Sequence, residues 1–190
     1  MKKTLENLIK AFIGESQARN RYTFYAKIAQ KEGFEQIGGI FLETADQEKQ
    51  HAKRLFEHIQ ILKGKLNAVK IEAEAPLVYG KTADNLKAAI AGEHFEYSKM
   101  YPEFAEIAQQ EGFEEIAKVF TSIAVAEKRH EERYNALAKN IADGLVFKRD
   151  KAVSWVCRNC GYVREGQEAP QTCPACAHPQ SYYELEAANY

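Results

Sequence analysis

Cysteine is absent from the first 156 residues of this 190-residue chain, and all four thiols fall between positions 157 and 176. The long N-terminal part is therefore not stapled by disulfides, and the thiols belong to a local device. An excess of one charge sign is missing too. The net charge of -1 gives no general electrostatic case for a nucleic-acid or membrane-surface partner. No run is long and apolar enough to span a bilayer, and Glu6, Asn7 and Lys10 break up any apolar core of a signal peptide near the N-terminus. The expected location is the cytoplasm. What is present is ordinary in kind, 45% hydrophobic and 28% charged, and long enough for one medium domain and a small one.

Residues 4 to 31 keep a helical period, with Leu5, Leu8, Phe12, Glu15, Tyr22, Ala26 and Ala29 on one seam. Gly33 reads as a stop. A second helix is expected from about Phe34 to Lys63, and the stretch from Gly64 to Lys81, with Pro76 and Gly80, as a crossing connection. Its "GKT" lacks the first glycine and the strand of a phosphate loop. Thr82 is the candidate cap of a third helix running to about Gln110, and a fourth runs from Phe113 to about Asp143.

The helices come as two copies. IAQKEGFEQIGGIFLETADQEKQH (28–51) and IAQQEGFEEIAKVFTSIAVAEKRH (107–130) share 13 of 24 positions at an offset of 79, while "GES" at 14 matches "GEH" at 92 at an offset of 78. One extra residue has therefore entered the third helix, close to Pro102. A helix usually absorbs such a residue as a π-bulge, and those favour functional sites. Two helical hairpins joined by a long crossover predict a mainly α fold, a four-helix bundle with ferritin-like connectivity over 1–146 (internal duplication about 12–59 and 90–138). A small metal-binding unit of short β strands is expected over 147–190.

The seams carry what a core should reject. Glu15, Glu48, Glu93 and Glu127 sit near mid-helix, and a His follows two of them by three residues, as Glu48-x-x-His51 and Glu127-x-x-His130. Two carboxylates about 4 Å apart repel by roughly 4 kcal/mol at an effective dielectric near 20, and burying them unpaired is costlier still. Positive charge must sit among them, and divalent metal ions are the obvious source. At i and i+3 a Glu and a His project from one face, a turn apart. One Glu from each of two helices plus Glu-x-x-His from each of the other two is the ligand set of di-iron and di-manganese bundles. Glu96, one turn after Glu93, has only Ala18 at the matching place after Glu15, so it is a surplus candidate ligand. Tyr22 and Tyr101 lie close to the same seam, either as donors to ligating carboxylates or as ordinary core. His58 and His94 are expected to stay out of the centre.

The tail reads differently. Short strand-like runs, prolines at 170, 174 and 179, and two Cys-x-x-Cys pairs, Cys157/Cys160 and Cys173/Cys176, predict a tetrahedral four-thiolate site for zinc or iron.

Together GESQARNRY, ETADQEKQHAKR, GEHFEYSKMY, SIAVAEKRHEER and CRNCGY…CPACAHP make the chain resemble the rubrerythrin family over essentially its full length. The resemblance implies two non-haem iron ions at Glu15, Glu48, His51, Glu93, Glu96, Glu127 and His130, with His51 exchanged for Glu96 on oxidation. It also implies a rubredoxin-type iron at Cys157, Cys160, Cys173 and Cys176. The implied activity is a peroxidase that reduces hydrogen peroxide with electrons passed through the tail iron and protects against oxidative stress. The electron donor would be a separate rubredoxin or a flavin-dependent NAD(P)H reductase. Ala177 departs from free-standing rubredoxins, which usually have Gly there. His130 lies roughly 20 Å along its helix from the helix end at 1.5 Å per residue, so the tail iron is expected far from its own bundle site. A homodimer, head-to-tail or exchanging helices, would close that gap. Two competing functions are iron oxidation and storage, which needs no electron-carrying tail, and a binding module built on a zinc ribbon.

Overall fold

The computed structural model describes residues 2–187. The antiparallel helices α1 (Lys3–Lys31) and α2 (Glu35–Leu62) form one hairpin. The second hairpin pairs a broken helix, α3 (Thr82–Phe95) and α4 (Tyr101–Gln110), with α5 (Glu114–Ala142). Between α3 and α4, Glu96–Met100 form one π-helical turn, in which the Tyr101 N–H reaches back five residues to the Glu96 carbonyl. The extra residue is thus absorbed where the shift in offset placed it. Pro102 follows in the first turn of α4, where its missing N–H costs least.

Each hairpin turns on the same device. Glu32-Gly33-Phe34 and Glu111-Gly112-Phe113 end α1 and α4, with φ of +83° at Gly33 and +82° at Gly112, a conformation that suits glycine. The two turns also serve the opposite hairpins. Glu111 accepts the backbone N–H groups of Lys3 and Thr4 at 3.0 and 2.9 Å, and Glu32 accepts that of Thr82 at 3.0 Å. Each copy therefore satisfies free N–H groups that begin the other's first helix. Thr82 itself is not the cap expected above. Lys81 precedes the helix, Thr82 is its first residue, and its buried hydroxyl finds no partner among the described residues. A carboxylate from the facing half does that work instead.

Two apolar layers fill the bundle. One gathers Tyr22, Tyr25, Phe41, Leu86 and Tyr134, the other Leu8, Leu55, Tyr101, Ile116 and Phe120. The buried glutamates Glu15, Glu48, Glu93 and Glu127 occupy the level between them along the helices. The crossover carries no regular structure from 67 to 80 and is tied to α1 where Tyr25 donates to the Val78 carbonyl at 2.6 Å.

The tail is a three-stranded antiparallel sheet in the order β2-β1-β3, with β1 Lys148–Cys157, β2 Val163–Glu168 and β3 Tyr183–Leu185. Its small core is Trp155, Cys157, Ala169, Cys173 and Tyr183. The tail does not extend away from α5. It folds back onto the bundle, with Phe147 stacked on Phe34 (centroids 6.4 Å apart, 13° between planes) and Arg158 lying over Gly39 of α2.

Candidate metal centres

The bundle centre is built from four helices. Glu15 comes from α1, Glu48 and His51 from α2, Glu93 from α3, and Glu127 and His130 from α5. Their donor atoms form two overlapping groups: Glu15, Glu48, His51 and Glu127, and Glu48, Glu93, Glu127 and His130, each within 4.8 Å internally. His51 Nδ1 lies 2.9 Å from Glu48 Oε2, 3.0 Å from Glu127 Oε1 and 3.8 Å from Glu15 Oε2. His130 Nδ1 lies 2.8 Å from Glu127 Oε2, 3.2 Å from Glu48 Oε1 and 3.4 Å from Glu93 Oε2. Glu48 and Glu127 thus offer one oxygen to each group, while Glu15 and Glu93 serve one each. The imidazole centroids are 6.1 Å apart.

The outer oxygens of the two end glutamates are already held. Tyr101 donates to Glu15 Oε1, and Tyr22 donates to Glu93 Oε1. Each tyrosine stands on the opposite hairpin from its glutamate, which answers the alternative left open by the seam: both hydroxyls bond carboxylates of the centre. The inner atoms Glu15 Oε2, Glu93 Oε2, Glu48 Oε1, both oxygens of Glu127 and His130 Nδ1 are buried with no hydrogen-bond partner among the described residues. Six unpartnered donor atoms converging in a core make an untenable arrangement for a protein alone, and a fitting one for two divalent cations.

The electrostatics of the site carry the same message. Burial, with Glu48 beside it, lifts the Glu15 carboxyl to about 7, and burial first and neighbouring carboxylates second hold Glu93 and Glu96 well above the usual range. Burial alone would lower the imidazoles, yet Glu127, Glu48 and Glu93 around His130 raise it to about 12, and Glu127, Glu15 and Glu48 raise His51 as well. Without cations the site must take up protons in their place.

Glu96 stands apart from both groups. Its carboxyl faces the other glutamates and also forms part of the wall of a solvent-open groove of about 520 Å³ that includes Gly14, Gly92, Arg21, Lys99 and crossover residues such as Pro76. The groove connects the edge of the centre with water. His94 is exposed and pairs with Glu131 at 3.1 Å, and His58 is buried at the far end of α2, both outside the two donor groups. The residues that sequence reasoning missed are Gln47, which holds His130, and Glu43 and Arg133 behind it. The one available signal was that Gln47 corresponds to Ala126 in the other copy.

In the tail, the Cys157 and Cys176 sulfurs are 3.8 Å apart and those of Cys160 and Cys173 are 3.7 Å apart. A tetrahedron of sulfurs at about 2.3 Å from a metal has edges of about 3.8 Å, so the four thiols are spaced for an ion and not for disulfides. Paired turns carry them: the Gly161 N–H returns to the Cys157 carbonyl at 2.8 Å, and that of Ala177 to Cys173 at 2.9 Å. Both turns require positive φ, +76° at Gly161 and +59° at Ala177. The alanine keeps the turn at a cost in strain. A backbone hydrogen bond at His178 draws the Cys176 thiol down to about 6.

The comparisons with known proteins give the family. A family model described as Rubrerythrin matches residues 6–138, and one described as Rubrerythrin, rubredoxin-like domain, matches 155–184. Rubrerythrin of Porphyromonas gingivalis is 54% identical over 99% of this chain and 92% of its own, and that of Nitratidesulfovibrio vulgaris is 54% identical over 99% and 96%. A solved structure titled the fully reduced, all-ferrous state of nigerythrin superposes with a TM-score of 0.65 at 34% identity, covering 96% of this chain and 86% of that one. The donor sets fit one iron in the four-Cys site and a di-iron site in the bundle. On this evidence the chain belongs to the rubrerythrin family.

Proposed function

We propose that this protein is a di-iron peroxidase, reducing hydrogen peroxide to water with electrons delivered through the four-Cys iron and so protecting the cell against oxidative stress. The observation that carries the reading is the convergence of unpartnered carboxylate oxygens on two neighbouring points, with a four-thiolate carrier on the same chain. We assign residues 1–146 to the di-iron bundle and 147–190 to the carrier, with Glu15, Glu48, His51, Glu93, Glu96, Glu127 and His130 holding two irons and Cys157, Cys160, Cys173 and Cys176 one.

Two ferrous ions held there would supply one electron each, the two that hydrogen peroxide needs, with two protons, to become two waters. The chain's own residues set the conditions. Glu48 and Glu127, each facing both groups, hold the two positions side by side. Tyr22 and Tyr101 fix the outer oxygens of Glu93 and Glu15, leaving only the inner ones free to bind. Hard anionic ligands favour the ferric state over the ferrous. The groove beside Glu96 gives a molecule as small as peroxide a way in while Tyr22, Phe41 and Tyr134 on one side and Tyr101 and Phe120 on the other keep bulk water out.

The one-electron carrier is what separates this reading from iron oxidation and storage, since storage needs no electron feed. We take the donor to the carrier to be a separate rubredoxin or a flavin-dependent NAD(P)H reductase, and the assembly to be a homodimer, head-to-tail or exchanging helices. Four reduced thiols in one site suit the cytoplasm. The decisive experiment mixes fully reduced, metal-analysed protein anaerobically with peroxide and separately with oxygen. Faster oxidation by peroxide, on the order of a hundredfold, is the expected result. Faster oxidation by oxygen, or a multi-subunit cage on size-exclusion chromatography, would replace the peroxidase with ferroxidase chemistry.

A further inference from the structure

His51 and His130 occupy equivalent places in the two hairpins, yet only one is tied down. The second nitrogen of His130, Nε2, donates to Gln47 Oε1 at 2.8 Å. Gln47 gives its amide N–H to Glu43 Oε1 at 3.3 Å, and Arg133 grips Glu43 through both terminal nitrogens at 3.0 and 2.8 Å. The direction of this relay orients the Gln47 amide, because its NH₂ must face the carboxylate and its carbonyl oxygen the ring. His130 Nε2 therefore carries the proton, which leaves Nδ1 to point at Glu48, Glu93 and Glu127. Fixing the far nitrogen of an imidazole is the usual means of orienting a metal-binding ring.

Shifted by 79 residues, the positions around His51 are Ser122 for Glu43, Ala126 for Gln47 and Arg54 for Arg133. None rebuilds the relay. Ala126 has no polar group, the Ser122 hydroxyl is spent on the Lys118 carbonyl at 2.8 Å, and Arg54 turns to Glu57 and Glu115. The consequence is visible in burial: the His51 side chain is 17% exposed against 3% for His130. The copies match in the donor atoms and differ in the supports behind them.

We infer that Gln47 is the positioning residue that fixes the His130 ring against the centre, and that the alanine at 126 leaves the His51 ring without such a support. This rests on the di-iron reading above. Beside the asymmetry that Glu96 brings, it adds one carried by two side chains, neither of which belongs to the donor set.

The test uses the full chain loaded with two ferrous ions per bundle and kept anaerobic, read by the hyperfine-shifted imidazole N–H resonances in its proton spectrum. In the natural protein one such N–H should exchange with water roughly fivefold or more slowly than the other, the worth of one hydrogen bond. Gln47→Ala should make both fast, and Ala126→Gln should slow the second. Position 126 is partly exposed on a helix and glutamine is nearly as good a helix former as alanine, so the variant is expected to fold. Equal exchange of the two protons in the natural protein, or rates that no variant moves, overturns the inference and leaves the di-iron reading standing. A fully loaded sample with no hyperfine-shifted imidazole N–H removes both.

Discussion

The two hairpins of the bundle are a natural control for each other. Their donor atoms are superimposable in kind: one lone glutamate, one Glu-x-x-His, one tyrosine lent to the other side. Their surroundings are not. The second hairpin carries the π turn and Glu96, the first carries Gln47 and the glycine pair Gly38-Gly39, and the corresponding positions hold Ala18, Ala126, Ala117 and Lys118. The six donors gathered at the centre keep the two-fold pattern, and the departures are Glu96 and residues one step behind those donors. The difference teaches where to look for function in a duplicated site: at the positions that disagree.

Removing a shared glutamate should have the largest effect and should treat the two halves alike. Glu48→Gln and Glu127→Gln each take away a group that faces both donor sets. Either variant should keep about one iron per chain, in the four-Cys site, and lose the other two. Peroxide-driven oxidation should fall at least about a hundredfold, beyond the usual cost of losing a mere supporting partner. Metal analysis and stopped-flow kinetics check this, and a variant that retains three irons would break the equivalence of the halves.

Next in size is the response of the metal-free bundle to pH. Glu15 is raised from an ordinary 4.5 to about 7, so the folded form holds a proton that the unfolded chain releases first. Stability from this group is complete below pH 4.5 and drains away as pH climbs to 7, by roughly 3 kcal/mol. His130, raised to about 12, acts in the same direction from pH 6.5 upward. The metal-free protein should therefore melt at lower temperature at pH 8 than at pH 5, while the loaded protein, whose cations compete with those protons, should show the reverse. Calorimetry at the two pH values, with and without metal, measures it; a metal-free bundle that gains stability with pH would mean the carboxylates are not packed together.

Much of this was legible in advance because charge on an apolar seam is conspicuous. Glu15, Glu48, Glu93 and Glu127 stand where leucine belongs, and the four cysteines stand in a pattern few other devices use. The π turn was legible from arithmetic alone, a repeat offset that changes from 79 to 78. What stayed hidden depends on which side chains meet across elements. Thr82 has the chemistry of a cap, yet its helix start is served by Glu32 from the other end of the first hairpin. Gln47 is an unremarkable polar residue until His130 is seen behind it. The tail's folding back was hidden for the same reason, since distance along α5 says nothing about where a module docks.

That docking gives the smallest predicted effect and separates the halves most cleanly. Glycine inside a helix costs about 1 kcal/mol relative to alanine, and α2 bears that cost at Gly39 where α5 uses Lys118. A methyl carbon built on Gly39 would lie 2.5 Å from Arg158 Nη2 and 3.3 Å from its Cζ, so the bare backbone is what lets the guanidinium rest there, braced by its ion pair to Glu184. Arg158 stands between Cys157 and Cys160, and the notch thereby seats the metal-binding loop on the bundle. Gly39→Ala should stabilise the helix while pushing the flexible end of Arg158 aside, a cost that offsets part of the gain. In an Arg158→Ala background the steric conflict is gone, and the same substitution should yield its full gain of about 1 kcal/mol. A double-mutant cycle in urea reads the difference, and solution scattering should show a larger radius of gyration for Gly39→Lys than for the natural protein. If the two backgrounds respond equally, the glycine is not a seat, and the contrast with Lys118 reflects only the freer surface of α5.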